Sequence, residues 1–139
     1  MKNSLEALRD VSKIHQHQLQ VITKAQNLTI SEWQLLMAIN GGSDTQEKLS
    51  HTMNLDTSTL SRQLKRLLVK EMIIKHAVGQ DRRQLIYQLT HLGTDALKQI
   101  NAAYDQLQQQ IFAQWTEDES NLLKILLNRL ATSMKRLNK

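Results

Sequence analysis

An apolar pattern at steps of three and four, uninterrupted by proline, is the feature that most constrains this chain: its 139 residues include no proline at all. Proline breaks a helix by removing an amide donor and crowding the preceding turn, so helices here can run long. From Leu5 to Gln26, apolar residues fall at Leu5, Leu8, Val11, Ile14, Val21, Ile22 and Ala25, with Leu19 between, which predicts an amphipathic helix. Thr29-Ile30-Ser31-Glu32 has the form of a capping box. The helix it opens carries Trp33, Leu36, Met37 and Ile39 and ends at Asn40-Gly41-Gly42, where glycine permits a left-handed cap.

A short helix is expected from Thr45 to Met53, with Asp44 and Glu47 placed as its capping box. Asn54-Leu55 reads as a turn, and Asp56 as the N-cap of a helix reaching Lys70. Residues 72–76 and 84–89 hold alternating, β-branched or aromatic positions such as Ile74, Ile86 and Tyr87. They bracket the charged, turn-like Val78-Gly79-Gln80-Asp81-Arg82-Arg83, which predicts a β-hairpin with a basic tip. Thr90 is placed to cap a helix from His91 to Gln114, and Thr116 to Glu119 forms another capping box. The final helix carries Leu122, Leu123, Leu126, Leu127, Leu130, Met134 and Leu137.

Composition excludes several chemistries. There is no cysteine, hence no disulfide, thiolate metal site, cysteine nucleophile or redox thiol. No run of about eighteen apolar residues occurs, so no membrane partner is expected and the cytoplasm is the default location. No recognisable Ser/His/Asp set or phosphate loop is present, and no carboxylate pair marks an obvious cleft, which argues against an enzyme. The net charge is +5. Between Asp56 and Arg83 stand seven basic residues (Arg62, Lys65, Arg66, Lys70, Lys75, Arg82, Arg83) and three acidic ones, so this segment carries nearly all of it.

At about 100° per residue, Leu60, Leu64, Leu67 and Leu68 share one face of the helix after Asp56, with Thr57 at its edge. Ser58, Thr59, Arg62, Lys65 and Arg66 point the other way, flanked by Gln63 and Ser61. Taken alone, such a basic face is better explained as the solvated side of an amphipathic helix. Two short helices, a tight turn and a following hairpin change the reading, because together they form a winged helix-turn-helix. The polar face then suits a DNA major groove, with small hydroxyls for close approach and arginine to fork onto guanine. Arg82 and Arg83 at the hairpin tip would reach the flanking minor groove. Asp81, repelled by phosphate, is better placed to hold an arginine by a charge-assisted hydrogen bond.

Leu28-Thr29-Ile30-Ser31-Glu32-Trp33-Gln34-Leu35-Leu36, Leu49-Ser50, Leu55-Asp56-Thr57-Ser58-Thr59-Leu60-Ser61-Arg62, and Asp81-Arg82-Arg83 with Leu89-Thr90-His91-Leu92-Gly93 resemble the multiple-antibiotic-resistance regulator (MarR) family over essentially the whole chain. The pairing of Asp81-x-Arg83 with Leu89-Thr90-x-x-Gly93 is the most specific part. The resemblance implies a mostly α fold with a small β-hairpin wing: a winged helix-turn-helix over residues 29–90, and dimerisation helices in 1–28 and 91–139. It implies a homodimeric transcription regulator, most often a repressor released by a small ligand, whose partner is double-stranded DNA carrying an inverted repeat. Carried over position by position, Ser58, Thr59, Ser61, Arg62, Lys65 and Arg66, with Thr57 at the start, fall on the recognition helix. Gln80, Asp81, Arg82 and Arg83 fall on the wing, Arg83 as the minor-groove finger.

The absent cysteine excludes the family's thiol-switched branch here. His15 and His17 lie about 200° apart on a helix and cannot chelate one ion together, and His51, His76 and His91 are scattered, so no metal or cofactor is expected. That leaves a small organic effector, or none. By the family's pocket position His15, Leu19, Trp33 and Met37 could line its site, although Trp33 and Met37 at helical spacing also fit a plain core. The last helix and the first offer more apolar surface than a small winged domain covers, which a second copy would bury. The alternative reading is a helical interaction or architectural module without sequence-specific DNA binding.

Overall fold

The computed structural model describes residues 1–138. It contains α1 (Ser4–Lys24), α2 (Ile30–Asn40), α3 (Gln46–Met53), α4 (Thr57–Val69), β1 (Ile73–Val78), β2 (Gln84–Leu89), α5 (His91–Ile111) and α6 (Glu117–Lys135). This is the mostly α, winged helix-turn-helix arrangement that the sequence predicts. The chain divides into two compact units, Met1–Tyr104 and Asp105–Lys139, with the boundary inside α5.

In the first unit, α2 is the central element. It touches α1, α3, α4 and β2, and it buries Glu32, Trp33, Leu35, Leu36 and Ile39. A short helix apolar on several sides is stable only when packed on several sides. Leu19, Leu49, Leu60, Leu64, Leu67, Met72, Ile73, Leu97 and Ile100 complete the core around it.

The caps show how local chemistry sets the ends. Thr29 and Glu32 form the predicted capping box: the Glu32 amide donates to Thr29 Oγ1 (3.1 Å) and the Thr29 amide to Glu32 Oε1 (2.9 Å). Thr116 and Glu119 do the same at α6. At α3 the expectation needs correction. Thr45, not Asp44, is the N-cap, accepting from the Lys48 amide, because the helix begins one residue later than an Asp44 cap requires. Asp44 instead pairs with the Lys48 ammonium at 3.2 Å. Further boundaries move: α1 ends at Lys24 rather than Gln26, α4 at Val69 rather than Lys70, α5 at Ile111 rather than Gln114, and β1 runs Ile73–Val78 rather than 72–76.

The two strands pair antiparallel from Ile73↔Leu89 to Val78↔Gln84. Ile73 and Tyr87 face the core while most other positions are in water. The outer edge of β2 is held in turn, since the Tyr87 amide donates to the Asp44 carbonyl at 2.7 Å. In the second unit, Phe112 and Trp115 stack edge to face at 5.0 Å just before the Thr116 cap. Helix α6 buries none of its side chains.

Candidate nucleic-acid interface

The helix-turn-helix is fixed by three local devices. Asn54 closes α3 in the left-handed region (φ 51°, ψ 45°), a conformation asparagine tolerates better than most residues. Ser50 Oγ donates to the Leu55 carbonyl at 3.0 Å, which braces the turn. Asp56 then caps α4, accepting from the Thr59 amide at 2.7 Å and from the Ser58 hydroxyl at 3.0 Å. These bonds, first among them the Thr59 amide, hold the Asp56 carboxyl below its ordinary range. The start of α4 therefore carries a fixed anionic cap, and its Ser58 hydroxyl is already engaged.

The apolar side of α4 buries Leu60, Leu64 and Leu67 as its periodicity predicts. On the other side, Thr57, Ser58, Ser61, Arg62, Lys65 and Arg66 are exposed and Thr59 is half-buried, within 3.4 Å of the Arg62 guanidinium. The predicted recognition-helix residues thus share one accessible surface. Val69 extends it and is 76% exposed, a position that sequence reasoning did not single out.

The wing presents Gln80, Asp81, Arg82 and Arg83, all exposed. Gly79 (φ 93°) and Arg82 (φ 54°) both take positive φ to turn the chain. Only glycine adopts the first cheaply. Asp81 faces Arg83: it accepts from the Arg83 amide at 3.3 Å, and its other oxygen lies 3.7 Å from Arg83 Nε. Both side chains stay in water and 3.7 Å exceeds hydrogen-bond reach, so the charge-assisted hydrogen bond expected of Asp81 is absent here and only an exposed, weak ion pair joins the two.

Behind this surface lies a contact that the sequence did not reveal. Lys70, counted among the basic residues of the helix, turns inward at the end of α4. Its ammonium donates to Glu32 Oε1 and to the Asn27 carbonyl, each at 2.8 Å. Glu32 is 1% exposed. Burial raises its pKa, but the Lys70 hydrogen bond and charge and the Thr29 bonds outweigh that and leave it lowered. One lysine thereby ties the foot of α4 to the start of α2 and to the α1–α2 turn.

The proposed effector residues are brought partly together. His15 Nε2 lies 2.6 Å from the Tyr104 hydroxyl, and Trp33 meets Tyr104 edge to face at 5.9 Å while donating to Asn101. Leu19 and Trp33 sit in the core, with Met37 packed against it. A shallow cleft of about 420 Å³ at the α1–α2 junction is lined instead by Gln16, His17, Gln20, Lys24, Leu28 and Thr29, among others. Among the described residues no three His, Cys, Asp or Glu side chains group as a metal site requires, and no helix is long and apolar enough to cross a membrane.

The sequence model of the MarR family matches residues 26–84. The chain is 30% identical over 105 residues to the HTH-type transcriptional regulator YxaD of Bacillus subtilis (strain 168), a match covering 75% of this chain and 73% of that protein. Its fold is similar to that of a MepR variant of S. aureus (TM-score 0.83, 19% identity, covering 96% of this chain and 99% of the other). It is also similar to a MarR variant of E. coli solved with operator DNA (TM-score 0.74, 22% identity, 90% and 91% covered).

Proposed function

Because this chain belongs to the MarR family of transcription regulators, we propose that it acts as a homodimer that binds an inverted-repeat DNA operator and represses transcription until a small organic effector releases it. The observation that carries this reading is the accessible hydroxyl and basic face of α4 beside an exposed wing that carries Arg82 and Arg83. Ser58, Ser61, Arg62 and Lys65 enter the major groove, with Thr57, Thr59 and Arg66 at its margins. Arg83 reaches the minor groove, flanked by Gln80 and Arg82. Residues 29–90 form the DNA-binding region, and 1–28 and 91–139 the dimerising one.

Exposed apolar rows support the dimer. Leu5, Val11, Ile14 and Val21 on α1, and Leu122, Ile125, Leu126 and Leu127 on α6, lie open to water. A two-fold partner is the simplest cover for such surface. It would set the two recognition helices about 34–36 Å apart, one turn of DNA. His15, Leu19, Trp33 and Met37 are the candidates for the effector site, His15 and Trp33 meeting at Tyr104. On this reading the working protein is cytoplasmic.

The test is selection of bound duplexes from a random pool, followed by fluorescence anisotropy on the enriched sequence. Binding should weaken steeply with salt, each neutralised phosphate adding about 0.9 to the log–log slope. Arg62→Ala should cost about 1–3 kcal/mol at the base pair it reads. Arg83→Ala should weaken binding most where the flank is A·T-rich. Failure to retain any duplex at low salt would sink the proposal.

A further inference from the structure

A contact between the two helices of the helix-turn-helix bears on what the interface reads. Gln46, the first residue of α3, donates its side-chain amide to Ser61 Oγ at 2.7 Å. Ser61 stands on the exposed face of α4, angularly beside Lys65 and Ser58. We propose that Gln46 sets the hydrogen-bond polarity of Ser61, so that this hydroxyl meets the major groove as a donor and selects a base presenting an acceptor there. The inference rests on the DNA-binding reading above and names the base chemistry of one position in it.

A serine hydroxyl carries one proton and two lone pairs and normally rotates to suit either partner. Here the Gln46 amide occupies a lone pair from the protein side. The Ser61 proton has no acceptor of its own among the described residues. Donating outward therefore satisfies the group without disturbing the helix contact. Accepting from a base would instead leave the proton unpaired in a desolvated groove, which costs more than the bond returns. Ser58 is not preset in this way, because its proton is already given to Asp56. The two exposed serines of α4 thus present opposite polarity to a ligand.

Major-groove edges distinguish the outcomes. Guanine offers N7 and O6 and thymine O4, all acceptors, whereas cytosine offers only its amino donor and adenine offers both kinds. The base opposite Ser61 should be guanine or thymine in preference to cytosine. A single neutral hydrogen bond sets the size of the preference at about three- to tenfold.

The experiment compares duplex selection by the unaltered chain, Gln46→Glu, Ser61→Ala and the double variant. Glutamate suits the first turn of a helix, so Gln46→Glu keeps α3 intact. Its carboxylate can only accept, which takes the Ser61 proton and leaves a lone pair facing the groove. The expected result is one position per half-site that changes from guanine or thymine to cytosine or adenine in Gln46→Glu. That position should lose its preference in Ser61→Ala and in the double variant. Any general weakening from the added negative charge acts on all sequences alike and cancels in the base ratio. An unchanged base at every position in Gln46→Glu, or a change that persists without Ser61, overturns the proposal. Enrichment of no sequence by the unaltered chain overturns the DNA-binding reading itself, and this proposal with it.

Discussion

Gly93→Ala should lower the midpoint of thermal unfolding by about 10 °C, the consequence of a loss of about 3 kcal/mol. Inside an exposed helix the same change would ordinarily stabilise by roughly 0.5–1 kcal/mol, since glycine is a poor helix former. Here the sign reverses. A Cβ on Gly93 would lie 2.0 Å from the Met72 carbonyl oxygen, and that oxygen belongs to backbone that cannot rotate away. The site is tightly tied: the Thr90 amide donates to the same oxygen at 3.0 Å, and Thr90 Oγ1 donates to the Glu71 carbonyl at 2.6 Å. The Gly93 amide closes the motif by donating to Thr90 Oγ1 at 3.0 Å. Relief requires α5 to move off the root of the wing, so Gly93→Ala should also weaken DNA binding in the folded fraction. Calorimetry showing equal or higher stability would refute the close approach.

Lys70→Met removes the one partner that, among the described residues, the buried Glu32 carboxylate has outside its own capping box. The loss expected at pH 7 is about 2–4 kcal/mol, less than for a fully buried pair because the Lys70 side chain stays 25% exposed. Adding Glu32→Gln should restore most of it, since glutamine can still accept from the Thr29 amide. The sign with pH follows from the lowered pKa of Glu32 in the folded chain. Its contribution is present above the ordinary carboxylate range and fades as pH falls through the folded value. The gap between Lys70→Met and the unaltered chain should therefore narrow in acid, as protonation relieves the uncompensated charge. Denaturant titrations at neutral and acid pH measure it, and a gap that widens in acid would contradict the ion-pair account.

How much of this was legible before folding depended on the range of the interaction. Thr29, Asp56 and Thr116 are caps that the sequence predicts correctly, because a cap and its amide lie two or three residues apart. At Asp44-Thr45 two competent caps stand side by side, and the choice was decided by where the helix starts rather than by their chemistry. The faces of α4 followed from periodicity alone, since Leu60, Leu64 and Leu67 recur at the helical repeat. At the wing only the proximity of Asp81 and Arg83 was readable: Asp81 accepts from the Arg83 backbone amide, while the guanidinium stays 3.7 Å away in water.

Lys70 and Gln46 were different. Each looked like an ordinary surface side chain of a polar helix. Lys70 meets Glu32 across 38 positions, and Gln46 meets Ser61 across 15. Nothing in the spacing of either pair distinguishes it from the many other polar pairs in the chain. The candidate effector residues illustrate the same limit, for helical spacing placed Trp33 and Met37 on α2 without saying that Trp33 would face Tyr104.

The sequence by itself determined the order of the helices, the hairpin, the buried and exposed faces of α4, and the concentration of positive charge between Asp56 and Arg83. These depend on period, caps and charge, which act over a few residues. Only the tertiary structure decided that one of those charges, Lys70, belongs to the interior, that Gly93 must lack a side chain because Met72 passes within contact distance, and that Gln46 holds Ser61. Those outcomes require distant segments to approach within hydrogen-bond or van der Waals range, and it is the packing around α2 and at the root of the wing that brings them there.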